Sequence, residues 1–241
     1  MKIAIVGAAG RMGQKLCALA EGTELEVVSK VDVAEGYDKS WSADVEGVID
    51  FSYHTAVPPS VTRAAEQGIP YVIGTTGLTP EEQKAVDAAA KKIPVVQSGN
   101  YSLGVNLLME LVRKAATVLG PEYDVEVVEM HHKHKKDAPS GTALMLAKSA
   151  AAGRGVPEDF AFGRKGDIGE RPVGEIAIHA LRGGSVVGDH TVMFAGELER
   201  VELTHKAQDR TAFAAGALKA LAWAKGRPSG IYTMRDVLGF K

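Results

Sequence analysis

The densest run of reactive side chains is Glu129 to Ala143, EMHHKHKKDAPSGTA, with three histidines, three lysines, one aspartate and then Pro139-Ser140-Gly141-Thr142. Imidazoles titrate near neutral pH and lysines carry positive charge, so the run offers proton donors on a cationic surface. Ser140 is placed to cap a helix, and the amides of Gly141, Thr142 and Ala143 would then point out of its start. Such a start suits a carboxylate or phosphate, because its N–H groups lack internal partners and its dipole end is positive. Together these features predict a pocket for a small anionic substrate. Two plainer readings stand beside it. A solvated basic loop would explain the lysines. A metal site would use His132 and His134, which share a face if the strand continues through them. However, no cysteine or further histidine lies at zinc-binding spacing, and the lysines would repel a cation.

The elements positioning this run are a strand before it, Tyr123 to Glu129, and a helix after it, from Thr142 to Ser149. A second constellation lies at the N-terminus. Lys2 to Val6 is nearly all apolar, as in a parallel strand buried on both faces. It runs into Gly7-Ala8-Ala9-Gly10-Arg11-Met12-Gly13 and then a helical stretch from Gln14 to Glu21. Strand, glycine loop and helix form the context of a dinucleotide fingerprint, although the spacing here is GxxGxxG. A second strand, Leu25 to Asp32, ends in an acid about 20 residues beyond the glycine loop, the spacing at which a carboxylate meets the adenosine ribose. No arginine follows at Val33, which favours NAD over NADP, while Lys30 or Arg11 remains available to a 2′-phosphate.

The alternation continues with strands at Glu46–Ser52, Pro70–Gly77 and Pro94–Tyr101, the last two ending in small or polar residues. Between them lie a helix started by Pro58-Pro59 and one opened by Thr79-Pro80-Glu81-Glu82, a capping box. Five strands alternating with helices predict a doubly wound parallel sheet with its ligand beyond the strands' carboxyl ends. Gly74-Thr75-Thr76 and Ser98-Gly99-Asn100-Tyr101 lie at such ends. After Val105 the rhythm changes. A helical stripe to Leu119 is followed, beyond the basic run, by strands at Val173–Leu181, Ser185–Phe194 and Leu198–Thr204. Arg182-Gly183-Gly184 and Ala195-Gly196-Glu197 read as hairpin turns joining them. The expected result is an open mixed sheet of about four strands with helices on one face, leaving Ile176, Ile178, Val192 and Phe194 for solvent or a second subunit. Phe160–Val173 reads as a mobile loop, and the helix from Arg210 to Ala224 is expected to return to the first domain.

The composition is that of a globular protein: 241 residues, 45% hydrophobic, 24% charged, net charge −2. That balance argues against a nucleic-acid or anionic-membrane surface. Cys17 is the sole cysteine, so no internal disulfide forms and a reducing compartment is expected. No apolar run reaches membrane-spanning length and the apolar N-terminal run is short for a signal peptide. A cytoplasmic protein is expected.

Across nearly its whole length the chain resembles the dihydrodipicolinate reductase (4-hydroxy-tetrahydrodipicolinate reductase) family. The resemblance rests on GAAGRMG at 7–13, DFS at 50–52, GTTG at 74–77, NYSLGVN at 100–106, EMHHKHKKDAPSGTAL at 129–144 and VGDHTVMFAGELERVELTH at 187–205. It implies a Rossmann-like α/β domain at 1–102 and 211–241 and a smaller α+β domain at 103–210 for substrate binding and oligomerisation. It also implies NADH, NADPH or both as cofactor, a cyclic imine with two carboxylates as substrate, closure of one domain onto the other about a hinge, and a homotetramer. By the same resemblance His131 is the proton donor/acceptor, Lys135 a proton donor, and His132, Ser140, Gly141 and Thr142 substrate contacts. Gly7 to Met12, Asp32, Gly74 to Thr76 and Ser98 to Tyr101 are the implied cofactor contacts. Arginine at position 33 accompanies NADP use in the family, so Val33 departs from that pattern. The rival readings are another nicotinamide dehydrogenase, for which a reactive cysteine or a different base is expected, and a non-catalytic NAD-sensing regulator, which has no use for the HHxHK cluster.

Overall fold

The chain divides into two units, Met1–Leu103 with Arg210–Lys241, and Gly104–Asp209. The structure, a computed structural model, describes residues 1–32 and 41–240.

In the first unit β1 (Lys2–Val6), β2 (Glu26–Val31), β3 (Gly47–Asp50), β4 (Tyr71–Ile73), β5 (Pro94–Gln97) and β11 (Gly230–Tyr232) form a parallel sheet in the order β11-β5-β4-β3-β1-β2. Alternate strand residues feed two cores. Ile3, Ile5, Ile49, Val72 and Val96 pack on the side of α1 (Arg11–Ala20), α6 (Thr211–Ala224) and α7 (Met234–Leu238). Ala4, Val6, Val48, Tyr71, Ile73 and Val95 pack on the side of α2 (Val57–Gln67) and α3 (Pro80–Ala90). Both faces of the sheet are therefore covered, the doubly wound arrangement that the apolar strands require. Prolines start α2, and Thr79 with Glu82 closes a capping box on α3. The last strand, β11, was not foreseen, because three half-exposed residues at a sheet edge carry little pattern.

The second unit holds α4 (Leu103–Leu119), β6 (Asp124–His131), α5 (Gly141–Arg154), β7 (Ala161–Phe162), β8 (Ile176–Arg182), β9 (Asp189–Ala195) and β10 (Arg200–Lys206). Its mixed sheet runs β10-β9-β6-β8-β7, one strand more than expected. Leu108, Val112 and Ala116 of α4 and Leu146, Ala147 and Ala150 of α5 cover one face.

Three expectations are corrected here. Ile176, Ile178, Val192 and Phe194 lie under those helices and are at most 2% exposed. The uncovered face instead carries the opposite parity, including Val128, Met130 and Met193, because strand side chains alternate. Arg182-Gly183-Gly184 does not close a hairpin, since β6 lies between β8 and β9. The segment lies instead over the end of β6, where the Gly183 amide donates to His131, the His132 amide to Val186 and the Lys133 amide to Gly184. The 160–173 segment contributes β7, and its Arg164 and Arg171 are pinned to Glu126, Asp124 and Glu175. Ala195-Gly196-Glu197 does turn β9 into β10, with the Gly196 amide donating to Glu199.

Candidate active site

In the first unit the residues singled out from sequence converge on the carboxyl ends of β1, β4 and β5. Gly7 leaves β1 with φ +82°, and a Cβ there would lie 2.3 Å from the Phe51 carbonyl oxygen. Gly13 lets α1 press onto the loop, since its Cβ would lie 2.1 Å from the Gly7 carbonyl oxygen. The amides of Gly7 and Ala8 donate to Val31, and the Ala9 amide donates to the Asp32 carboxylate at 2.7 Å. Asp32 therefore braces the glycine loop. Gly10 is the N-cap of α1 and supplies no side-chain cap, so Arg11 and Met12 open a helix whose start carries no side-chain oxygen. Ala9, Gly10 and Arg11 are exposed there. A glycine turn meeting a bare helix start fits a pyrophosphate.

Beside it, Gly74 donates its amide to the Asp50 carbonyl, Thr75 is buried and Thr76 is exposed. The Thr75 hydroxyl is committed to the Asp50 carboxylate, which also accepts the Tyr71 hydroxyl at 2.6 Å and the Ser52 hydroxyl at 2.5 Å. Burial pushes the Asp50 carboxyl up despite these donors. Ser98 and Asn100 close a turn by mutual hydrogen bonds, and Gly99 is exposed. Tyr101 is 1% exposed, and its hydroxyl is spent on the Ile73 and Val96 carbonyls, so it anchors the turn from below. Asp50 and Tyr71 were missed as a pair because their contact joins two strands. Val33 lies outside the described residues. Cys17 sits in α1, where burial pushes its thiol up, the opposite of what a nucleophilic cysteine needs.

In the second unit β6 ends at His131. Residues 132–135 then form a turn in which the Lys135 amide donates to His132, so His132 and His134 do not share a strand face. Their rings are 6.2 Å apart. Ser140 caps α5 as expected, but its hydroxyl accepts the Ala143 amide, which is thus withdrawn from the outward-pointing set. Ser140 itself is 2% exposed, and its hydroxyl also meets His190 Nε2 at 3.0 Å. Gly141 is exposed and Thr142 half-buried at the helix start.

One fully buried carboxylate organises this site. Glu129 Oε1 accepts the Ser140 amide at 3.0 Å, and Glu129 Oε2 lies 2.6 Å from His131 Nδ1. Arg182 forks onto both oxygens at 2.8 and 2.9 Å and also donates to the Asp137 carbonyl. Burial works against the charge on Glu129, but the Arg182, His131 and Ser140 donors outweigh it and hold the carboxyl below its usual range. The register places Glu129 beside His190 and His190 beside His205. Burial is the main cause that pushes His190 down to about 4, so this ring is neutral at pH 7. Lys135 Nζ is held 2.7 Å from the Asp137 carboxylate, which it depresses. Sequence reasoning overlooked Glu129, Arg182, His190 and Asp137. Strand parity could have found Glu129, which shares the inward parity of Val125 and Val127.

Comparison with known proteins covers both units. The model for the dihydrodipicolinate reductase N-terminus matches residues 1–101 and that for its C-terminus residues 104–238. A 4-hydroxy-tetrahydrodipicolinate reductase from Akkermansia muciniphila is 50% identical over 244 aligned positions, covering 99% of this chain and 98% of that protein. One from Methylocella silvestris is 47% identical and covers 99% and 97%. The fold matches a dipicolinate-bound dihydrodipicolinate reductase from Paenisporosarcina with TM-score 0.76, 24% identity and 97% coverage of both chains. A putative myo-inositol dehydrogenase from Sinorhizobium meliloti shares the fold more loosely, with TM-score 0.59 and 14% identity over 94% of this chain and 89% of that one. A glycine loop at one sheet, a histidine-lysine turn at the other and matches along almost the full length leave one assignment: the chain belongs to the dihydrodipicolinate reductase family.

Proposed function

We propose that the chain reduces 4-hydroxy-tetrahydrodipicolinate to tetrahydrodipicolinate, with loss of water, in diaminopimelate and lysine biosynthesis. Its reductant is NADH or NADPH. The observation that carries this reading is the single carboxylate, Glu129, bonded to both the His131 imidazole and the Ser140 amide. An acid and an anion-binding helix start are thereby held at fixed separation, as reduction of an anionic ring demands. That a dihydrodipicolinate reductase of this fold binds dipicolinate, a ring with two carboxylates, supports the same choice of substrate.

Gly7, Ala8, Ala9, Gly10, Arg11, Met12 and Asp32 would hold the dinucleotide, with Gly74, Thr75, Thr76, Ser98, Gly99, Asn100 and Tyr101 shaping its nicotinamide side. When bound, the reduced dinucleotide supplies the hydride. His131 holds the proton that completes reduction at Nε2, since Nδ1 is turned to Glu129. Lys135 exchanges Asp137 for a substrate carboxylate and offsets charge that develops on the ring. Gly141 and Thr142 receive the other carboxylate, His132 orients the ring, and Ser140 acts by fixing the helix start. Residues 1–102 with 211–241 form the dinucleotide domain and 103–210 the substrate and oligomerisation domain of a cytoplasmic homotetramer.

The test is a cuvette holding the chain, reduced dinucleotide and the product of the preceding synthase. Nicotinamide absorbance should fall with NADH, NADPH or both, and no decline with either would overturn the assignment.

A further inference from the structure

We infer that Glu129 is a positioning residue that sets the tautomer and orientation of the His131 imidazole, with Arg182 holding Glu129 in place. The inference rests on His131 as the proton donor of the proposed reaction, yet it can be tested without substrate.

Glu129 is 0% exposed and receives four donors on two oxygens, from Arg182 twice, the Ser140 amide and His131. An ionised carboxylate only accepts, so the proton at the 2.6 Å contact belongs to His131 Nδ1. Nε2 is then the nitrogen that takes up or gives away a proton, and the imidazole works as one defined tautomer. Because Arg182 forks onto both oxygens, the carboxylate cannot rotate away. The ring is bounded on its other side too. His190 packs edge-on at 5.2 Å, and Nε2 lies 3.0 Å from where a Cβ on Gly188 would stand.

Around the Glu129–His131 pair lie Arg182 on β8, which holds Glu129, and His190 on β9, which packs on His131, with His205 beside His190 on β10. Lys135, paired with Asp137 in the turn, is near enough to act on His190, and the start of α5 contributes the Ser140 amide to Glu129. Only Glu129 touches the imidazole nitrogen with a full opposite charge.

The test is Glu129→Gln with full-length chain. Turnover should fall ~10–10³-fold with unchanged dinucleotide KM, and the basic limb of the kcat/KM profile should move to lower pH. Nitrogen-15 NMR of the histidines, without substrate, should show His131 as the Nδ1–H tautomer in the wild type and a tautomer mixture in Glu129→Gln. Glu129→Asp, which keeps the charge, should restore part of the shift. Should Glu129→Gln not fold, the wild-type tautomer and Glu129→Asp decide the matter. An Nε2–H tautomer in the wild type, or a folded Glu129→Gln with both limb and tautomer unmoved, overturns the inference. A wild type inactive toward the proposed substrate would overturn the functional reading alone, since the NMR result stands apart from it.

Discussion

A buried carboxylate with four donors makes His131 and Lys135 unequal partners. His131 is fixed through Glu129, whereas Lys135 is held only by Asp137, whose side chain is 65% exposed. Replacing His131 with Gln should therefore lower kcat ~10²–10⁴-fold, the range of a positioned acid, and leave dinucleotide affinity nearly unchanged. Steady-state kinetics would show it, and an unaltered kcat would remove His131 from the mechanism. Lys135→Ala should lower kcat and also raise substrate KM ~10-fold or more, because a hydrogen bond to a charged group is worth roughly 1.5–3 kcal/mol. Normal kinetics in that variant would strip Lys135 of its role. Gly188 makes a third case. An added methyl group would press on the His131 ring from the buried side, so Gly188→Ala should fold, by circular dichroism, yet lose ~10–100-fold in turnover.

At the scale of elements, the uncovered face of the mixed sheet is held by charge. Glu126 on β6 receives Arg164 and Arg171 from the 160–173 segment and His179 from β8. Burial opposes the charge on Glu126, but these donors prevail and hold its pKa at about 2. A depressed carboxyl stabilises the folded state above its unfolded pKa, and that contribution is lost as pH falls from about 4.5 towards 2. It is on the order of 2 kcal/mol after allowance for solvent screening. Urea unfolding of wild type and Glu126→Gln at steps from pH 6 to pH 2 should show the gap closing on acidification. A gap that stays constant over the range would mean the network adds nothing. The 160–173 segment looked like a mobile loop because its glycines and charges carry no periodicity. The β6 partners of its arginines, Glu126 and Asp124, lie 38 to 47 positions away, so only the folded sheet shows where the segment attaches.

For the whole molecule, helices cover one face of the mixed sheet while Val128, Met130, Leu181 and Met193 lie on the other. Leu181 is 44% exposed. The proposed homotetramer would bury this face. Light scattering should give four chains per particle, and Met193→Glu should shift the mass downward; a wild-type monomer would sink the proposal. Among the described residues no helix is long and apolar enough to cross a membrane. The sequence by itself determined the parallel sheet, the glycine loop, the α2 and α3 starts and the Ser140 cap, because each depends on spacing between near neighbours. Tertiary structure alone decided that β6 runs between β8 and β9, and so that Arg182, 53 positions from Glu129, closes on it. Which strands pair is set by the apolar surface that the assembled sheet buries under α4 and α5. No local pattern encodes that choice, and the geometry around His131 follows from it.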